Sequence, residues 1–186
     1  MTDFTVHTIE TAPDGAKPLV EGATQKFGFT PNLVGVLAES PTALKAYLDV
    51  AGAVTQSSLT PTEQQVVLMT TSFENGCTYC MAAHSFVSTK SGVAADVIES
   101  LRAGTPIADP KLDALANLTR SAVQNGGLVD DSITNAFLAA GYDNASILDV
   151  ITAIAQKTIS NFTNHFSHNE PDPAFAAHAW SKPAAP

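Results

Sequence analysis

Apolar positions recur at helical spacing through most of the chain, and turn or capping residues break the pattern at short intervals. The first dozen residues predict an extended or strand-like arm that closes at Pro13-Asp14-Gly15. Lys17–Gly28 predicts a short helix with Leu19, Val20, Ala23 and Phe27 on its apolar side, and Leu33–Glu39 a second after the Phe29-Thr30-Pro31-Asn32 turn. Ser40 caps a third helix, with Pro41 at its first position, that runs to about Thr55. Thr60-Pro61-Thr62-Glu63 has the spacing of a capping box, and the helix it opens is apolar nearly all round, which marks it as central. Asn75-Gly76 ends it.

A helix from Cys77 to about Thr89 follows, then an amphipathic one over Val93–Arg102 stopped by Gly104-Thr105-Pro106. Pro110–Asn125 is capped by Asp109, and Asp131–Ala140 ends at Gly141. The last helix, about Asn144–His168, is the longest. Ile147, Ile151, Ile154, Thr158, Phe162 and His165 follow one stripe of it, with Leu148, Ala155, Ile159 and Phe166 alongside. Residues 1–168 form one domain, and the Pro- and Ala-rich segment 169–186 is a tail that packs through Phe175 and Trp180 or wraps a neighbour. With no βαβ rhythm, GxGxxG, P-loop or repeat, the fold class is all-α, with eight or nine helices.

Composition narrows the function classes. A chain of 186 residues is long enough to bury a core. Charged residues make up only 15%, too few to solvate a whole monomer surface, which favours a homo-oligomer. A net charge of -9 argues against nucleic-acid or anionic-membrane partners. The start, MTDFTVHTIE, has neither a basic nor an apolar signal region, and no aliphatic run is long enough to span a membrane, so a cytoplasmic location is expected.

The chemistry concentrates in Asn75–Ser85, NGCTYCMAAHS, which holds both cysteines. On one helix Cys77, Cys80 and His84 share a face. CxxC spacing without a secretory signal points to a catalytic dithiol. The helix N-terminus stabilises a thiolate at Cys77, whereas His84, one turn beyond Cys80, is better placed to serve Cys80. Either sulfur is a candidate nucleophile on this ground alone. Zinc would find three ligands here, with His165 or His168 only a distant fourth, and no second Cys or His pair of zinc-ribbon spacing follows. Two inert buried thiols are the bland alternative. The expectation is therefore a redox dithiol, with no cofactor and no metal.

The run ENGCTYCMAAH resembles the CxxCxxxH signature of the AhpD-like branch of the carboxymuconolactone decarboxylase family. GFTPNLVGVLAESPTALKAYL, LTPTEQQVV and NFTNH resemble its flanks, so the resemblance runs from about Phe27 to His165. It implies an all-helical protomer assembling as trimers or larger rings, and hydroperoxide reduction by a dithiol–disulfide cycle. It further implies that Cys80 attacks peroxide with help from His84, that Cys77 resolves the sulfenic acid, and that an external thiol restores the pair. Two positions depart from the family pattern. Gln65 stands where the family commonly has a relay Glu, and Tyr79 where members with a full relay have a His. Neither substitutes chemically at neutral pH. Glu63 and Glu74 are substitute carboxylates, though a solvated surface role is the plainer reading of both, and Glu63 would lie about 21 Å away along a straight helix. His165 is a further relay candidate or a packing residue. His7, His168 and His178 receive no role. Lactone decarboxylation, the activity of the family's name-giving enzymes, is an alternative that the dithiol disfavours. A non-enzymatic redox-sensing or scaffold oligomer with a decayed relay is another.

Overall fold

In a computed structural model that describes residues 4–184, nine α-helices and one 3₁₀ helix are present and no strand is found among the described residues. Residues 1–3 of the expected arm and residues 185 and 186 of the expected tail lie outside the described residues. The helices are α1 (Lys17–Phe27), α2 (Asn32–Leu37), α3 (Pro41–Thr55), α4 (Pro61–Glu74), α5 (Thr78–Lys90), α6 (Ala95–Ala103), α7 (Pro110–Gln124), α8 (Asp131–Ala139) and α9 (Asn144–Ser167). The 3₁₀ turn covers Pro173–His178. No single helix among the described residues is long and apolar enough to cross a membrane.

Helix boundaries follow the capping chemistry. Ser40 accepts from the Ala43 N–H at the start of α3. Thr60 and Glu63 form a reciprocal capping box on α4, and Asp109 accepts from Lys111 and Leu112 at α7. Glycines in the left-handed region end α1 at Gly28 and α6 at Gly104. The N-terminal arm is not a strand. Among the described residues its backbone bonds to the body of the chain through the His7 N–H and the Gly35 carbonyl, and any Cβ at Gly35 would stand 2.7 Å from the His7 oxygen.

Two apolar clusters fill the interior. One joins α4 to α6, α7, α8 and α9 through Val66, Met69, Leu101, Leu115 and Phe137, with the Phe137 and Tyr142 rings stacked 4.3 Å apart. The other joins α1, α2, α3, α5 and the 3₁₀ turn through Val20, Leu33, Leu44, Ala82 and Phe175, and it contains both cysteines. α4 is central, as its all-round apolar pattern predicts: Val66, Val67, Met69, Thr71 and Ser72 are buried along it.

α9 is the surprise. An amphipathic helix ordinarily turns its apolar stripe inward, yet Leu148, Ile151, Phe162 and Phe166 are all at least half exposed. The buried face carries Gln156, Lys157, Ser160, Asn161 and Asn164 beside Val150 and Ala153. That polar face is pressed against α3, α4 and α5. Burying so many polar groups is tolerable only where they find partners. Most do, and what they surround is the dithiol.

The tail closes over its own chain. Phe175 is buried against Phe29, Tyr79 and Phe86. Arg102 donates to the carbonyls of His178 and Ala179, and the Trp180 indole donates to the Arg102 carbonyl at 2.8 Å.

Candidate active site

The turn between α4 and α5 sets the position of the cysteines. Gly76 has φ +66, a conformation that favours glycine. This lets the Cys77 N–H return to the Ser72 carbonyl at 2.9 Å, and Asn75 Nδ2 is tied to Asn161 Oδ1 of α9 at 2.9 Å. Cys77 is therefore not the first helical residue but the extended cap before Thr78. Its carbonyl accepts the first helical bond, from the Met81 N–H, so Cys80 still falls one turn in and His84 the next.

Both thiols are free and buried. Asn164 Nδ2 donates to Cys80 Sγ at 3.3 Å and lies 3.9 Å from Cys77 Sγ, while Ser160 Oγ is 3.7 Å from Cys80 Sγ. Lys157 is 1% exposed, and its charge bears on the Cys80 sulfur. Burial alone would push Cys80 up. The hydrogen bond from the Cys77 thiol, the Lys157 charge and the Ser160 hydroxyl outweigh it and hold Cys80 well below an ordinary thiol. Cys77 is pushed far up, because its thiol donates to Cys80 and because it is buried. The pair is thus one thiolate and one thiol, with the negative charge on Cys80. Helix position left either sulfur open, and the Cys77 hydrogen bond, followed by the Lys157 charge, favours the anion on Cys80.

His84 sits between two partners. Its Nδ1 faces Gln65 Oε1 at 3.0 Å and its Nε2 faces Lys157 Nζ at 3.0 Å. Gln65 Oε1 accepts, so Nδ1 carries the ring proton and Nε2 accepts from the lysine. Burial, and then the Lys157 charge, hold His84 well below the ordinary histidine range, so it is a neutral imidazole. With both ring nitrogens engaged, it is not arranged as a metal ligand. Gln65 faces the ring through its amide oxygen, which exchanges no proton with it.

The other sequence candidates lie elsewhere. The Tyr79 hydroxyl donates to Asp172 and accepts from the Leu33 N–H at 3.3 Å, which joins the tail to α2 and turns the phenol away from proton transfer. Glu63 is not a solvated carboxylate. It is 5% exposed and accepts from Tyr142 at 2.9 Å, from Lys111 at 2.9 Å and from the Thr60 N–H at 2.8 Å. Glu74 pairs with Arg120 at 3.1 Å and accepts from Gln124 at 2.9 Å, so it too is committed to structure. His165 is exposed near the end of α9 and lines a polar depression beside Cys77. Lys157, Ser160 and Asn164 were not identified from sequence. Their signal was present: Lys157 at i, Ser160 at i+3 and Asn164 at i+7 form a polar stripe on a helix read for its apolar one.

A cavity of about 460 Å³ opens onto Cys80, His84, Lys157, Gln65 and Tyr47, with Leu19, Leu48, Val54, Leu68 and Phe175 among its apolar walls. That volume is typical of a small-molecule site and far exceeds what hydrogen peroxide requires.

Fold and site together define an all-helical protein with a polarised, buried dithiol at a helix start. Residues 41–120 match the carboxymuconolactone decarboxylase family. No curated protein sequence matches it. Its fold is similar to the AhpD-core, peroxidase-related protein from Ralstonia eutropha JMP134, at TM-score 0.77 and 23% identity over 92% of this chain and 93% of that one. It is also similar to the debrominase Bmp8 bound to 2,3,4-tribromopyrrole, at TM-score 0.81 and 18% identity over 96% of each chain. A peroxidase-related protein from Silicibacter sp. TM1040 aligns at TM-score 0.78 and 16% identity over 94% and 95%. These likenesses establish the AhpD-like fold.

Proposed function

We propose that the protein is a thiol-dependent reductase of organic hydroperoxides, and the carrying observation is the Cys80 sulfur, which accepts from Asn164 at 3.3 Å and lines an apolar cavity one turn from Cys77. Cys80 Sγ attacks the terminal peroxide oxygen, the O–O bond breaks, and the alkoxide leaves with a proton from the Lys157 ammonium. Cys80 is then a sulfenic acid. The Cys77 sulfur attacks it as its thiol proton departs, forming the disulfide and releasing water. Lys157 and His84 Nε2 share a hydrogen bond through which the proton balance is restored. Two equivalents of an external thiol return the disulfide to the dithiol.

The experiment is peroxide consumption with cumene hydroperoxide. Cys80→Ser abolishes it, and Cys77→Ser leaves a sulfenic acid that dimedone traps. Full activity in both variants would sink the proposal. The same wall of apolar side chains also favours a second reading, thiolate-driven removal of halogen from an aromatic ring, after the debrominase of like fold. Bromide release from 2,3,4-tribromopyrrole, lost in Cys80→Ser, would support that reading over the first.

The exposed stripe on α9 supports assembly as a homo-oligomer, since Leu148, Ile151, Phe162 and Phe166 leave a long apolar face open on a sparsely charged chain. The fold and the negative charge fit a cytoplasmic protein without nucleic-acid or membrane partners.

A further inference from the structure

The two cysteines open in different directions. Cys80, and not Cys77, lines the 460 Å³ apolar cavity. Cys77, and not Cys80, lines a second cavity of about 450 Å³, formed with Thr78, Asn164, His165, His168 and Glu170. The first turn of α5 separates the two. The second cavity is polar where the first is aliphatic.

We propose that this polar cavity is the entry site for the reducing thiol, so that substrate and reductant reach the dithiol from separate mouths. The proposal rests on the dithiol cycle described above. Thiol–disulfide exchange requires the incoming thiolate to approach along the S–S axis, opposite the leaving sulfur, and the sulfur with the lower pKa leaves faster. Cys80 is the stabilised thiolate, held by Lys157 and Asn164. Attack therefore falls on Cys77, from the side away from Cys80, and the polar cavity lies on the Cys77 side. The incoming thiolate bonds to Cys77 Sγ, the Cys77–Cys80 bond breaks, and its electron pair stays on Cys80. A second thiol group then attacks the mixed disulfide on the reductant's sulfur. Cys77 leaves and takes up a proton, and the reductant is released as its own disulfide.

Shape defines the reductant. Cys77 is 1% exposed, so its sulfur sits at the base of the cavity, beyond the reach of a thiol seated in a flat protein face. A slender alkyl thiol is the class of reductant that such an approach admits, and the polar side chains of His165, His168 and Glu170 line its path.

The test separates the half-reactions. Protein is oxidised to the disulfide with diamide, which needs no peroxide, and its reduction by dithiothreitol is followed by rapid quench. His165→Trp and Glu170→Trp each fill the polar cavity from an exposed position, and circular dichroism confirms their fold. Gly52→Leu fills the apolar cavity, where an added Cβ meets nothing within 4 Å. Expected is at least a tenfold slower reduction in both tryptophan variants, with oxidation by cumene hydroperoxide within twofold of wild type, and the reverse pattern in Gly52→Leu. Wild-type reduction rates in both tryptophan variants, or equal slowing of reduction by Gly52→Leu, would overturn the proposal. Failure of cumene hydroperoxide to oxidise the wild type would remove the hydroperoxidase reading, while the diamide-formed disulfide still reports the entry side.

Discussion

Lys157 Nζ lies 3.0 Å from His84 Nε2, and the same charge favours the anion of Cys80. One buried side chain, 73 residues downstream of the histidine, therefore bears on both His84 and Cys80. Where the family pattern offers an acid and a second histidine, this chain offers an amine.

Replacing that amine tests its role directly. Lys157→Met keeps the length and removes the charge. The thiolate absorbance at 240 nm is expected to titrate at higher pH than in wild type. Oxidation by hydroperoxide at pH 7 is expected to fall at least tenfold and to recover partly as pH rises. An unchanged titration would show that Asn164 and Ser160 hold the thiolate without help.

The fold was largely legible because its signals are local. Thr60 with Glu63, Asp109 before Pro110, and Gly28 and Gly104 after α1 and α6 each fix an end by short-range hydrogen bonding. The site was legible only along α5. CxxC and His84 share one helix, so their spacing is enough, but Gln65 and Lys157 meet His84 across three helices, and no periodicity encodes that meeting. α9 misled because its apolar stripe is continuous while its buried face is polar. Hydrophobic periodicity finds the greasy side of a helix, not the side that a site turns inward.

His84 gives stability a pH dependence of definite sign. Its folded pKa lies well below the ordinary value, so near pH 6 the unfolded chain binds a proton there and the native protein does not. Stability should fall as pH drops below about 6.5, at up to about 1.4 kcal/mol per pH unit for this one group. Urea unfolding at several pH values measures it. His84→Gln is expected to flatten that slope, and an unchanged slope would remove His84 as its source.

Glu63 is expected to matter for folding and not for chemistry. Burial alone would raise its pKa, but the Thr60 backbone, Lys111, the Thr60 hydroxyl and Tyr142 more than offset this and lower it. Glu63→Gln weakens charged hydrogen bonds and should cost about 1–3 kcal/mol. The rate of disulfide formation by hydroperoxide, measured below the melting transition, is expected to stay within twofold of wild type.

The outer stripe of α9 carries a separate expectation. Ile151→Glu and Phe166→Glu place charge on exposed positions. Each should shift sedimentation toward a smaller species without altering helical content. A wild-type protein that already sediments as a monomer would refute the oligomer.

The polar seat of α9 also weights the redox couple. Lys157 and Asn164 favour the dithiol form by stabilising one sulfur as an anion, and oxidation removes that anion while leaving the ammonium buried among neutral groups. Each ~1.4 kcal/mol of thiolate stabilisation raises the midpoint potential of a two-electron couple by about 30 mV. In the proposed dithiol–disulfide cycle the disulfide is therefore a spring rather than a staple, and Lys157 sets how strongly it pulls electrons from the next thiol it meets.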